Sequence, residues 1–239
     1  IEDPAYWGAV KAFMATGLAI HPVAVDEQGI NPGTADNTRP PRLIYVTPSH
    51  QYPTGVTLSL ARRLELLAWA ERHDAWVIED DYDGEYRYRG VPLAPLAALD
   101  RSGRVLYVGT FCKIAFPALR LGYLVLPPEL VGPFAQRRAL DMRHSEIGSQ
   151  AVMAEFIAAG HFQRHVRRMR EAARMRRDAL LQGWPQVPGC APLPAVEAGL
   201  HLSVRVESLQ RETELVAAAF PEVGAGPKRL LAGRQHHAT

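Results

Sequence analysis

Cysteine is scarce in this sequence. Cys112 and Cys190 are the two cysteines among 239 residues, too few for a disulfide framework and without metal-ligand spacing. This usage is typical of a reducing compartment, and we expect the protein in the cytoplasm. We predict no metal site.

Long apolar runs and a strong excess of one charge are also absent. No run approaches the ~18 residues of a membrane span, and the first residues do not resemble a signal peptide. Lysine and arginine number 27 against 25 aspartate and glutamate, so charge does not indicate a nucleic acid or membrane partner. The chain begins without methionine, and we expect a fragment.

Short β-rich runs alternate with helical patterns, which is typical of α/β folds with a mostly parallel sheet and helices on both faces. We predict strands at 18–25, 43–46, 75–79, 105–108, 122–126 and 199–206. Helices are predicted at 5–16, 58–73 and 213–220, and through most of 129–183 with a break at Gly160. In the helix 58–73, Leu60, Leu64 and Leu67 are expected on one face.

A proline-rich stretch divides the chain. Residues 185–196 have the composition of a link between domains. We therefore predict a large domain over 1–184, incomplete at its N-terminus, and a truncated small α/β domain over 185–239.

An isolated lysine follows the predicted strand 105–108, in the segment GTFCKIAFPALR. Lys113 has apolar neighbours, and a partly desolvated lysine is a nucleophile toward aldehydes. Arg120 can bind a phosphate through two N–H groups, and the Thr110 hydroxyl adds a donor. The three suit an aldehyde that carries a phosphate, namely pyridoxal 5′-phosphate (PLP). A surface lysine and a structural arginine fit this segment equally well.

Three carboxylates in a row end the predicted strand at 75–79, in the segment VIEDDYD. Ligands bind at the carboxyl ends of parallel strands, and Asp80 could pair with a protonated pyridine nitrogen. Tyr82 could then reach the phenolic oxygen of the same ring. Magnesium binding and a solvated acidic turn are the alternatives.

Two further segments carry weaker signals. His50, in the loop 47–55, could act as a general base or be structural. Tyr6 and Trp7 could stack on a planar ring, although aromatic residues at a helix start are more often core.

Taken in order, five segments resemble fold-type I PLP-dependent aminotransferases of class I/II. More narrowly, they resemble the aminotransferase-like domain of MocR-type GntR transcription regulators. The likeness covers roughly residues 1–205. It is carried by EDPAYWGA, TPSHQYPTGVTLSLARRLELLAWAE, WVIEDDYDGEYRYRG, YVGTFCKIAFPALRLGYLV and GHFQRHVRRMR.

The resemblance implies a role for each of six residues. Lys113 corresponds to the catalytic lysine that joins the cofactor's aldehyde. The cofactor ligands it implies are Arg120 and Thr110 at the phosphate, Asp80 at the pyridine nitrogen, Tyr82 at the ring oxygen and Tyr6 stacked on the ring.

Three features depart from the related patterns, and one is that the tyrosine usual in MocR members near Ala172 and Ala173 is missing. Tyr52 stands where ordinary aminotransferases have asparagine, a change that the MocR branch shares. Cys112 stands where MocR members usually have serine.

The resemblance implies a PLP-binding domain that senses an effector for a transcription regulator. The implied partners are an amino acid or amine, a second copy in a homodimer, and DNA only through a winged-helix domain that this chain lacks. A free-standing aminotransferase fragment and a decayed dimerisation module are the alternatives. We expect little turnover, because the substrate-binding arginine and a glycine-rich phosphate loop are expected outside these residues.

Overall fold

The structure, a computed structural model, describes residues 1–36, 38–90, 93–143 and 146–219. The strands are β1 (Glu2–Asp3), β2 (Val23–Asp26), β3 (Gly29–Ile30), β4 (Leu43–Val46), β5 (Trp76–Asp81), β6 (Val105–Thr110) and β7 (Gly122–Val125). The helices are α1 (Trp7–Ala15), α2 (Leu60–Arg72), α3 (Leu96–Leu99), α4 (Pro128–Met142), α5 (Gly148–Ala158), α6 (His161–Gly183) and α7 (Leu209–Ala219). Among the described helices, none is both long and apolar enough to cross a membrane.

The larger sheet has the order β4-β5-β6-β7. β4, β5 and β6 are parallel, and β7 runs antiparallel to β6. Val46 pairs with Glu79, and Asp81 pairs with Gly109, so the three parallel strands end at one edge. This confirms the predicted mostly parallel sheet. A smaller sheet has the order β1-β2-β3.

The main core lies between this sheet and α2. Ser59 caps α2 by accepting a hydrogen bond from the Arg62 backbone N–H. The predicted apolar face of α2 is only partly right, because Leu60 and Leu64 are exposed whereas Leu67 is buried. The face that packs on the strands is formed mainly by Leu66, Leu67, Trp69 and Ala70, which join Ile44, Val46, Val77 and Val105 in one buried cluster.

Glu79 belongs to this scaffold. Its two carboxylate oxygens accept hydrogen bonds from the backbone N–H groups of Leu96 and Ala97, at 2.8 and 2.9 Å. Arg63, also buried, lies 3.8 Å from the same carboxylate. The first acid of the predicted acidic turn therefore orients α3 rather than a ligand.

Two sequence predictions on the C-terminal side have different outcomes. Gly160 separates α5 from α6 with φ of +68°, which confirms the break. The predicted strand at 199–206 is wrong, because Val206 forms only an isolated bridge to Cys190. The first predicted strand, at 18–25, begins at Val23 rather than at residue 18.

Part of the predicted small domain, residues 220–239, lies outside the residues that the structure describes. The domain boundary at 185 stays a prediction.

Candidate functional site

Asp80 and Tyr45 meet at the carboxyl edge of the parallel strands. Tyr45 pairs with Ile78 in the register, so its side chain shares a face with Asp80, two residues further along β5. The Tyr45 hydroxyl donates a hydrogen bond to Asp80 Oδ2. Burial raises the pKa of the Asp80 carboxyl, although the bond from Tyr45 opposes this. Because no cationic side chain of the described residues pairs with it, the carboxylate lacks a positive partner.

Asp81 points to the other face of the sheet. Its Oδ2 accepts a hydrogen bond of 2.7 Å from the Tyr107 hydroxyl on β6. Successive side chains of a strand alternate between faces, so Glu79 and Asp81 share the face opposite Asp80. The three adjacent carboxylates therefore lie on two faces of the sheet, and Asp80 is the one of the three on the same face as Tyr45.

The lysine loop follows directly from β6. Its backbone is anchored, because the carbonyl of Lys113 accepts a 3.0 Å hydrogen bond from the Tyr86 hydroxyl and Ile114 is fully buried. The predicted apolar shielding is not found, since both Lys113 and Phe116 are exposed. Ile114 is the residue that turns inward.

Two cationic side chains, Lys113 and Arg120, follow β6. Within the part of the chain that the structure describes, neither the Lys113 amine nor the Arg120 guanidinium makes a hydrogen bond or ion pair. The Thr110 hydroxyl accepts a 3.1 Å hydrogen bond from the Cys112 backbone N–H. An amine, a guanidinium and a hydroxyl therefore follow one strand end.

Three tyrosines lie in a row beside the strand ends. Tyr6 meets Tyr52 edge to face with ring centroids 5.7 Å apart, and Tyr52 meets Tyr82 in the same way at 6.2 Å. The Tyr82 hydroxyl donates a 2.8 Å hydrogen bond to the carbonyl of His50. Tyr6 is 48% exposed, so its ring is accessible to a planar ligand.

A second polar cluster, which sequence reasoning missed, lies behind Tyr82. His50 Nδ1 and Asp83 Oδ2 are 3.0 Å apart, and both side chains are buried. The His201 ring lies 4.2 Å from the His50 ring, centroid to centroid. Burial lowers the pKa of His201 to about 4, and the neighbouring His50 contributes. The three residues are too far apart in the sequence for any local pattern to have grouped them.

Gly199 brings His201 to this place. Its backbone N–H donates to the Tyr86 carbonyl at 2.8 Å, and its carbonyl accepts a 2.7 Å hydrogen bond from the Tyr88 hydroxyl. A Cβ here would lie 1.9 Å from His50 Nδ1. Since φ is also +86°, the position requires glycine.

Glu2 was also missed. Its buried carboxylate accepts a 2.8 Å hydrogen bond from the Thr47 hydroxyl and one of 3.3 Å from the Gln51 amide. Burial raises the pKa of Glu2 to about 7 against the effect of these bonds. Glu2 thereby attaches β1 to the loop that carries His50 and Tyr52.

These features match a known family. The profile of aminotransferases of class I and II matches residues 2–216. The chain belongs to this family. Pyridoxal 5′-phosphate is the family's cofactor, in agreement with the sequence analysis.

Two curated relatives are transcription regulators. The probable rhizopine catabolism regulatory protein MocR of Rhizobium meliloti is 46% identical over 171 residues, which are 71% of this chain and 34% of that protein. The HTH-type transcriptional regulator YhdI of Bacillus subtilis is 37% identical over 219 residues, 91% of this chain and 46% of that protein. The chain thus spans about a third to a half of these relatives.

A solved structure supports the same fold. The kynurenine aminotransferase of Pyrococcus horikoshii, crystallised with PMP, superposes with a TM-score of 0.80 and 27% identity. The superposition covers 91% of this chain and 57% of the archaeal one. The fold class predicted from sequence is confirmed.

Proposed function

We propose that this chain is the PLP-binding, effector-sensing part of a MocR-type transcription regulator. The observation that carries the proposal is the 46% identity to MocR. A regulator of this kind would use the aminotransferase fold to register a small molecule. This chain spans about a third of that relative, so the role of the whole protein is part of what we propose.

Four residues are proposed to hold the ends of the cofactor. Lys113, as the catalytic residue, would hold the cofactor at its aldehyde, and Asp80 would hold the protonated pyridine nitrogen. Arg120 and Thr110 bind the phosphate. The free amine and guanidinium, and the half-buried carboxylate without a cationic partner among the described residues, support this assignment. Bound there, PLP would supply an electron sink for an amino group attached to it.

Two tyrosines are proposed to hold the cofactor ring. Tyr6 stacks on the ring face, and its exposed side chain beside Tyr52 supports this role. Tyr82 contacts the ring oxygen. Because its hydroxyl donates to the His50 carbonyl, donation to the ring oxygen would replace that bond. Tyr45 then acts as a positioning residue, since its hydroxyl fixes the orientation of the Asp80 carboxylate.

The partners follow from the same proposal. The effector is an amino acid or an amine, because these are the compounds whose amino group reacts with the cofactor's aldehyde. We propose a homodimer, and DNA contacts made only by a winged-helix domain outside these 239 residues.

A free-standing aminotransferase is the second candidate, favoured by the similarity to the archaeal kynurenine aminotransferase. A coupled assay with common amino acids and 2-oxoglutarate, run on this chain and on one extended at both ends, separates the two. We expect turnover far below ~1 s⁻¹, the lower end of ordinary enzyme rates. Turnover at that rate or faster would favour the enzyme.

Titration with PLP tests the binding claim itself. We expect a saturable visible absorption band with the native chain and no such band with Lys113→Ala, while both variants keep the same circular dichroism. A native chain that gains no band would instead support a dimerisation module without cofactor.

A further inference from the structure

The cluster of His50, Asp83 and His201 has a structural feature that the proposed function does not use. Asp83 is 1% exposed, and the one basic side chain that pairs with it in the described part of the chain is His50. Its second oxygen, Oδ1, is buried and has no hydrogen-bond partner among those residues. A buried carboxylate with an unpaired oxygen is energetically costly, and a further positive charge beside it would lower that cost.

Nitrogen and oxygen ligand atoms converge beside this carboxylate. One ligand atom from each of His50, Asp83 and His201 lies within 4.8 Å of the other two. His50 Nδ1 is 3.0 Å from Asp83 Oδ2 and 3.2 Å from the Tyr82 hydroxyl oxygen. That oxygen is 3.5 Å from His201 Nδ1. Atoms bound tetrahedrally at ~2.0–2.1 Å from one ion lie about 3.3–3.4 Å apart.

We propose that His50, Asp83 and His201 bind a divalent transition metal ion such as Zn²⁺, with the Tyr82 hydroxyl as the fourth ligand in the cofactor-free chain, where no cofactor ring engages that hydroxyl. Two imidazoles and a carboxylate are ligands that zinc prefers. On binding, the ion takes the place of the hydrogen bond between His50 Nδ1 and Asp83 Oδ2. The ring hydrogen of His50 is then carried on Nε2, so that the imidazole binds as a neutral ligand.

Groups around the cluster already orient these ligands. His201 Nε2 lies 3.1 Å from the Pro53 carbonyl, so it carries the hydrogen and leaves Nδ1 free to face the cluster. The Leu200 backbone N–H donates to Asp83 Oδ2 at 3.0 Å. Such hydrogen bonds to the ligands are typical of metal sites in proteins.

A cleft borders the cluster on one side. His201 lines a cleft of about 430 Å³ between the C-terminal half of α6 and residues 193–204. Because His201 is only partly buried, we expect an ion to reach the cluster from this side.

Isothermal titration of the cofactor-free chain with ZnCl₂ tests the site independently of the proposed function. The titrated chain has both His236 and His237 replaced by alanine, because two adjacent histidines in the sequence can bind zinc by themselves. We expect one bound equivalent. His201→Ala should weaken it by more than the ~10–100-fold typical for loss of an outer partner. The matched control His21→Ala, which removes an exposed histidine, should leave affinity unchanged.

Two results would overturn the site. One is that the His236→Ala/His237→Ala chain binds no zinc. The other is that the folded His201→Ala and His201→Gln variants bind zinc with the same affinity as that parent chain. Titration with Co²⁺ adds a spectroscopic test of the fourth ligand. We expect the visible bands of a tetrahedral ion to change in Tyr82→Phe, and unchanged bands would exclude the hydroxyl as a ligand.

Discussion

At the scale of the residue, three adjacent acids have three different surroundings. Glu79 binds backbone N–H groups of α3, Asp81 binds Tyr107 on one face, and Asp80 binds Tyr45 on the other. Composition places a negative turn here, but only the strand register separates the side chains. The Asp80 carboxylate is therefore the one we propose for the pyridine nitrogen.

Asp80→Asn should weaken PLP binding about 100-fold or more, because loss of one partner of a desolvated ion pair costs roughly 3–5 kcal/mol. Fluorescence or absorbance titration measures the dissociation constant. Asp81→Asn is the matched control, since its side chain lies on the opposite face and bonds to Tyr107. Equal losses in the two variants would mean that Asp80 is not the partner.

Glu2 should make stability depend on pH. Its folded pKa of about 7 lies above the ordinary 4.5, so the folded state retains a proton that the unfolded state releases between these values. The stabilisation is complete below pH 4.5 and is lost as pH rises through 7, by about 3 kcal/mol.

Urea unfolding of the native chain and Glu2→Gln at several pH values measures this effect. Glutamine keeps an oxygen for Thr47 but has no proton to lose. We expect the stability of the native chain, relative to Glu2→Gln, to fall between pH 4.5 and 7. A constant difference across that range would contradict the assignment.

At the scale of the element, residues 199–206, predicted as a strand, form a connection instead. Their alternating pattern predicts a strand, but a strand needs a neighbouring ladder. Here the backbone groups of Gly199 and Leu200 instead bond to Tyr86, Tyr88 and Asp83. Pattern alone cannot distinguish a strand from a connection whose backbone groups bond to loops and side chains.

Gly199→Ala should destabilise the fold by about 3 kcal/mol or more, because it combines a clash with His50 and an unfavourable φ. Gly103→Ala is the matched control, with φ of +69° but nothing within 4 Å of the added Cβ. It should cost about 1 kcal/mol. Chemical denaturation compares the two, and equal costs would show that His50 yields to the new methyl group.

Sequence reasoning succeeded where the signal is local. Apolar β-rich runs located β4 to β7, and the order of polar residues after those strands grouped Asp80, Thr110 and Lys113 at one edge of the sheet. It missed the bond between Tyr45 and Asp80, which depends on cross-strand register. It also missed His201, whose place beside His50 depends on a close backbone approach at Gly199.

At the scale of the whole molecule, the proposed cofactor site joins distant parts of the chain. Tyr6 and Asp80 lie more than seventy residues apart in the sequence. The hydroxyl oxygen of Tyr82 lies 3.5 Å from His201 Nδ1. A ligand bound there would link these parts to the lysine loop. Binding should therefore stabilise the molecule as a unit.

Saturation with PLP should raise the melting temperature. A ligand at 100 times its dissociation constant adds about 2.7 kcal/mol, which for a chain of this size corresponds to roughly 5–10 °C. Differential scanning calorimetry should show this increase with the native chain and a smaller one with Lys113→Ala. An identical increase in both would mean that the amine contributes nothing to binding.

Reduction of the PLP complex with borohydride, followed by peptide mapping, tests the central claim most directly. The sequence contains three lysines, Lys11, Lys113 and Lys228, and reduction fixes the cofactor to the amine that it joined. The account predicts a pyridoxyl group on Lys113 at near-stoichiometric yield, in the native chain and in Lys11→Ala alike. Stoichiometric labelling of Lys11 or Lys228, with Lys113 unmodified, would contradict it.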